Sequence, residues 1–153
     1  MFPEAGSAYA SRPSTAGRIV RHEQLEANPS GFDDLIGAEV VEASGQRCVI
    51  ELAVTAAHHQ PFGIVHGGVY ATLVETATSI GASLWLDGEA SAVGIGNSTE
   101  FLRSVRDGRL ICTATPLQQG RRLQLWAAEV VDEDGRLVAH GKVRLLNRSA
   151  EEG

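Results

Sequence analysis

Cysteine is scarce. Among 153 residues only Cys48 and Cys112 occur, each inside a strand-like run, too few and too far apart for a disulfide framework or a structural metal site. They read as buried free thiols in a reducing compartment. No apolar run reaches the roughly 18 to 20 residues that span a membrane. Positive charge is short too: thirteen Lys and Arg stand against nineteen Asp and Glu, a net charge of −6, which disfavours a nucleic-acid partner. Two catalytic signatures are missing. Gly94-Ile95-Gly96 lacks the third glycine of a dinucleotide fingerprint, and no Gly-x-Ser-x-Gly elbow occurs, so nicotinamide and serine-hydrolase readings fall away.

What is present suits one soluble domain, with 43% hydrophobic and 21% charged residues. Residues 1–17 are rich in Ala, Ser, Gly and Pro without apolar periodicity or the apolar centre of a secretory signal, and read as a disordered cytoplasmic tail. An extension over 18–36 is broken at Asn28-Pro29-Ser30-Gly31, with Phe32 and Leu35 expected to tack it to the core. The domain proper is expected at 37–148, followed by a short tail, 149–153.

One stretch dominates that domain. From Val69 to Leu86 only Gly81 interrupts a helical pattern in which Val69, Leu73, Ile80 and Leu84 share a face. The opposite face carries Ala71, Thr72, Thr76, Ala82 and Ser83 in place of charge, so the helix is expected to be buried on most sides. Glu75 is the only charged residue from Gly67 to Leu86. An unpaired carboxylate there would cost several kcal/mol by desolvation, so Glu75 is expected to need a partner, a raised pKa or a function.

Strand patterns flank the helix: Ala38–Ala43 and Cys48–Thr55 around a turn at Ser44-Gly45-Gln46, then 92–102, 109–118, 123–131 and 136–146. In the last, Leu137, Ala139, Val143 and Leu145 alternate with polar residues, the mark of one wet face. The acidic run Asp132-Glu133-Asp134-Gly135 before it reads as a hairpin turn. Two strands, one long helix and four strands fit an α+β fold, an antiparallel sheet curled around a central helix.

The segment Gln60-Pro61-Phe62-Gly63-Ile64-Val65-His66-Gly67-Gly68, followed by Leu73-Val74-Glu75, resembles hotdog-fold acyl-CoA thioesterases. The branch is that of the hydroxybenzoyl-CoA, phenylacetate-pathway and dihydroxynaphthoyl-CoA enzymes. The resemblance runs from about Gly37 to Leu146, through Arg103-Ser104-Val105-Arg106-Asp107-Gly108. It implies that Glu75 is the catalytic carboxylate, Gly67 the oxyanion donor, Gln60 and His66 helpers at the carbonyl, and Ser79 a hydroxyl near the attacking water. Gly68, Thr76 and Phe101 are expected to contact substrate. It also implies a homodimer, assembled further as a dimer of dimers, with coenzyme A present only as part of the substrate and no other cofactor.

The chemistry stands on the residues as well. Glycines at a helix start leave free N–H groups and the positive end of the helix dipole facing an approaching carbonyl. Glu75 could attack the thioester carbon or deprotonate a water that does. Eight residues separate Gly67 from Glu75, about 12 Å along one helix, whereas reacting atoms meet at about 3 Å. A site shared between two chains follows. Arg103, Arg106, Arg121 and Arg122 would suit the phosphates of coenzyme A. His58, His59 and His66 lack a completing acid for a metal site. Two other readings remain: a hotdog-fold hydratase or dehydratase pairing His58 or His59 with Glu75, and a non-catalytic acyl-CoA-binding module.

Overall fold

The computed structural model describes residues 20–21, 31–88 and 90–149. The expected tail over 1–17, residues 150–153 and most of the N-terminal extension lie outside the described residues.

Strands β1 (Val20–Arg21), β2 (Ala38–Ala43), β3 (Cys48–Ala53), β4 (Ala90–Phe101), β5 (Arg109–Gln119), β6 (Leu123–Asp132) and β7 (Leu137–Ser149) form one sheet in the order β1-β2-β3-β5-β6-β7-β4. Every neighbouring pair is antiparallel. The short helix α1 spans Phe32–Ile36, and the long helix α2 spans Gly67–Trp85. Helix α2 crosses the sheet's inner face, touching β2 through β7. It hands the chain from β3 to β4, which closes the far edge and, among the described residues, pairs only with β7.

The inner face is apolar because alternate strand residues point to one side. Cys48, Ile50 and Leu52 on β3, Leu110, Cys112 and Ala114 on β5, Trp126 and Val130 on β6, and Val143 and Leu145 on β7 are almost fully buried. Both thiols are therefore inert packing groups. Burial, with the charge of Glu42 adding, pushes the Cys48 thiol up to about 12, and burial pushes Cys112 higher.

Two packing expectations need correction. Helix α2 buries Tyr70, Leu73, Val74, Ala77, Thr78, Gly81 and Ala82, while Val69, Ile80 and Leu84 are only partly covered. The buried face is turned toward the small residues because the helix sits close: a side chain at Gly81 would collide with the Trp126 ring, and one at Gly141 with Val74. Phe32 and Leu35 do not tack the extension to the core, since they are 59% and 81% exposed. Polar contacts do that instead. Thr76 Oγ1 donates to Asp33 Oδ1 at 2.7 Å, the buried His58 bonds the carbonyl of Ile36 at 2.8 Å, and Ile36 packs on the core.

The β6–β7 turn is held by Asp132. Its Oδ1 accepts from the N–H groups of Asp134 and Arg136, and its Oδ2 from Arg136 Nε at 2.8 Å. Burial disfavours the charged carboxyl, but these hydrogen bonds and the Arg136 guanidinium outweigh it and hold Asp132 below the ordinary aspartate value. A depressed value in the folded state contributes stability that is complete above the unfolded aspartate range near pH 4 and is lost as pH falls through the folded value. Asp132→Asn should accordingly lower Tm at pH 7, and its deficit relative to wild type should shrink in melts taken below about pH 4. A deficit independent of pH would deny the carboxylate this role.

Candidate active site

The chain enters α2 through a tightly bonded loop. A 3-10 turn over Ala56–His58 is closed by Thr55 N–H donating to His58 Nδ1 at 2.9 Å, and His66 N–H then reaches the His58 carbonyl at 2.8 Å. Between them Gln60 to Gly63 forms a turn, with Gly63 in the left-handed region at φ 71°. Phe62 N–H donates to Gln60 Oε1 at 2.6 Å. A backbone donor can meet only the oxygen of that amide, so the Gln60 NH2 group is the end left over as a donor.

His66 is the N-cap of α2: its Nδ1 accepts the Gly68 N–H at 2.8 Å. Accepting at Nδ1 assigns the proton of a neutral ring to Nε2. The Gly68 donor is thereby used, and the Gly67 N–H has no partner among the described residues. Beside it lies a cleft of about 320 Å³ lined by Gln60, Gly67, Tyr70, Phe101, Arg103 and Ser104, among others. The Phe101 ring lies against Gly67, and a side chain added there would collide with the ring as it stands. It also tilts against Tyr70, with centroids 5.8 Å apart. Tyr70 is buried, and its hydroxyl has no hydrogen-bond partner among the described residues. Burial, and next the charge of Asp132, raises its ionisation above the ordinary tyrosine value, so it stays neutral.

Glu75 lies two turns further along α2, half-buried, and faces β4. Its partner is a neutral amide: Asn97 Nδ2 donates to Glu75 Oε2 at 2.9 Å. Its other oxygen rests where a side chain at Gly94 would stand. Ser79, one turn beyond, is half-buried with no hydrogen bond among the described residues. The structure thus gathers Gln60, Gly67, Phe101 and Arg103 in one cleft and leaves Glu75 and Ser79 apart from it, further along the same helix.

Several expected contacts are already engaged. The Thr76 hydroxyl is bonded to Asp33. Arg106 reaches back to the carbonyls of Gly63 and Phe62 at 3.1 and 3.4 Å, and His59 Nε2 meets the Arg106 carbonyl at 2.6 Å. Arg106 therefore brackets the Gln60 turn. Arg121 and Arg122 lie in the β5–β6 connection, at the opposite end of β5 from Arg103 and Arg106, about 33 Å away along the strand. One chain does not form the four-arginine cluster. Neither His58 nor His59 pairs with Glu75, which removes the proton-transfer pair of the hydratase reading. No cluster of metal-ligating residues occurs among the described residues. The sequence reading missed Asn97, although asparagine is disfavoured inside strands and its presence in β4 was a signal.

A family model for the thioesterase superfamily matches residues 62–139. The chain belongs to this superfamily. A Mycobacterium tuberculosis protein that carries an esterase name with no substrate stated is 41% identical over 122 residues, 78% of this chain and 87% of its own length. The 1,4-dihydroxy-2-naphthoyl-CoA hydrolase of Escherichia coli is 34% identical over 122 residues, 77% and 85% of the two chains. A solved thioesterase structure from Haemophilus influenzae, 28% identical, aligns over 85% of this chain and 92% of that one with a TM-score of 0.80. The fold is the hotdog fold, and the protein is a thioester hydrolase.

In a thioesterase, the bracket formed by Arg106 predicts a loss that ignores the nucleotide. Arg106→Ala should lower kcat on a coenzyme A thioester and on a short thioester without the nucleotide by the same factor, on the order of tenfold, because a misplaced Gln60 turn spoils alignment for both. A selective rise in KM for the coenzyme A thioester would instead make Arg106 a phosphate ligand.

Proposed function

We propose that the protein hydrolyses an acyl-CoA thioester to the free acid and coenzyme A, at a site built from two copies of the chain. The observation that carries this reading is the separation of the parts. The unpartnered Gly67 N–H and the donor end of Gln60 face one cleft, while Glu75 faces β4 eight residues further along the helix. A side chain of glutamate length does not bridge the resulting 12 Å or so.

A second copy supplies the missing half through the β4 edge. Strand β4 is twelve residues long, has no proline or lysine, carries one charge at Glu100, and exposes Val93 and Ile95. Edge strands that stay single are normally short, charged or interrupted by proline. Antiparallel pairing of two β4 strands about a twofold axis satisfies that edge, sets α2 of one copy against α2 of the other, and brings Glu75 toward the other copy's Gly67. Pairing of two dimers would use the outer sheet face, where Leu123 and Leu146 are exposed side by side.

In this site the thioester carbonyl oxygen accepts from the Gly67 N–H at the positive end of α2 and from the Gln60 amide, donors aimed at where negative charge develops. Glu75 then either attacks the carbonyl carbon, expelling coenzyme A as the thiolate and leaving an anhydride that water hydrolyses to the free acid, or removes a proton from a water that attacks the carbon and expels the same thiolate. Phe101, which rests on Gly67, must turn aside for the carbonyl to reach that donor. Arg103, which lines the cleft, would suit a coenzyme A phosphate, and the names of the 1,4-dihydroxy-2-naphthoyl-CoA hydrolases support a coenzyme A thioester.

The deciding measurement is free-thiol release from a panel of acyl-CoA thioesters. Wild type should release thiol, and Glu75→Gln should lose the activity by about 10³-fold or more while keeping fold and ligand binding, because it deletes charge at constant volume. Near-wild-type turnover in that variant would remove Glu75 from the chemistry. Enoyl-CoA hydration without thiol release would instead make the protein a hydratase.

The shared site has its own test. Gln60→Ala and Glu75→Ala should each be nearly inactive. Co-refolded at equal amounts, half of the dimers are mixed, and each mixed dimer holds one doubly damaged and one intact site. About a quarter of wild-type activity should return. Mixed dimers without recovery would put both residues in one chain's site.

A further inference from the structure

We infer that Asn97 is a positioning residue for the Glu75 carboxylate, with its orientation locked by Thr99 and its aim set by a bulge in β4. The inference rests on the assignment of Glu75 to the chemistry and extends it to residues that assignment does not include.

The contacts allow only one arrangement of the amide. Asn97 Nδ2 lies 2.9 Å from Glu75 Oε2 and 3.1 Å from the Ala71 carbonyl, and both are acceptors, so this end is the NH2 group. The Thr99 hydroxyl donates to Asn97 Oδ1 at 2.7 Å. Each NH2 hydrogen is spent on a separate point of α2, one helical turn apart. The amide therefore pins the side chain of Glu75 to the backbone of its own helix. No cation pairs with Glu75 among the described residues, so orientation comes without neutralising the carboxylate. Oε1, which rests beside Gly94, has no hydrogen bond among the described residues and keeps its acceptor capacity for a water or substrate.

Strict alternation would prevent this. Gly94 pairs with Leu145 and Asn97 with Val143, and these two partners are buried on the inner face, while Gly96 pairs with the exposed Arg144. Positions 94 and 97 differ by three and share a face only because Ile95 is an extra residue in β4. The bulge thus turns Asn97 toward the helix, and Gly94 leaves room for the carboxylate. Thr99, on the same face, fits because Gly141 opposite it has no side chain.

The test is kinetic. Asn97→Leu keeps the volume and removes the hydrogen bonds. It should lower kcat by about 10- to 100-fold, the worth of a hydrogen bond to a charged group, with KM within about twofold of wild type, as expected for a change felt only in the chemical step. Thr99→Val, which frees the amide to rotate, should give a smaller loss in kcat, and Thr99→Ser should restore it. Melting temperature and dimer mass are measured on each variant. Wild-type kcat in Asn97→Leu would overturn the inference while leaving Glu75 in place if Glu75→Gln is inactive. So would a loss that Thr99→Ser fails to rescue, or one matched by a falling dimer fraction. An active Glu75→Gln overturns the underlying assignment instead.

Discussion

The close seating of α2 on the sheet is the constraint from which the rest follows. A helix carrying Leu or Ile at every inward position would ride higher above the sheet, because the larger side chains hold the backbones apart. Here small residues face inward at Ala77, Gly81 and Ala82, and the strands answer with glycine at 94 and 141. Trp126, fully buried, fills the space under Gly81. Its indole N–H donates to Gln124 Oε1 at 2.9 Å, and the Gln124 amide in turn reaches the Ala82 carbonyl at 3.2 Å. Polar satisfaction and close packing thus serve the same contact. Because the helix is low, a carboxylate on its flank can be held by a strand side chain as short as asparagine.

That seating explains which parts of the structure the sequence made legible. Strand limits came from alternation, and alternation survives wherever one face is wet: β2 starts and ends where the pattern put it, and β5, β6 and β7 differ by a few residues at most. The face of α2 was harder to read. Hydrophobic size pointed to Val69, Ile80 and Leu84, whereas proximity to the sheet selects small residues for the inside and leaves those larger ones on the flank. Periodicity locates a helix well but says little about how near it lies to its neighbour.

The candidate site divides the same way. His66-Gly67-Gly68 was readable as a helix start, and its capping geometry sorts the two glycine N–H groups, one bound by imidazole and one open. Arg106 and Thr76 looked like substrate contacts because type and neighbourhood suggested it; in the structure both are bonded within the chain, one to the Gln60 turn and one to α1. Asn97 was hidden for a specific reason. A one-residue bulge reverses the phase of a strand, and alternation read across it assigns the amide to the wrong face.

A carboxylate that must act on a polar bond needs its charge intact and its direction fixed, and these demands conflict if the fixing group is a cation. A guanidinium would orient Glu75 well, but it would also stabilise the charged state and weaken the carboxylate as a base or nucleophile. A neutral amide orients with far less of that cost. The same economy appears at the other end of α2, where an imidazole cap takes the Gly68 donor and leaves the Gly67 donor open. In the proposed pairing of two copies along β4, the open donor of one helix and the oriented carboxylate of the other would face a single carbonyl. Neither helix could present both, because the dipole that strengthens the donor is at the N-terminus and fades within the first turn.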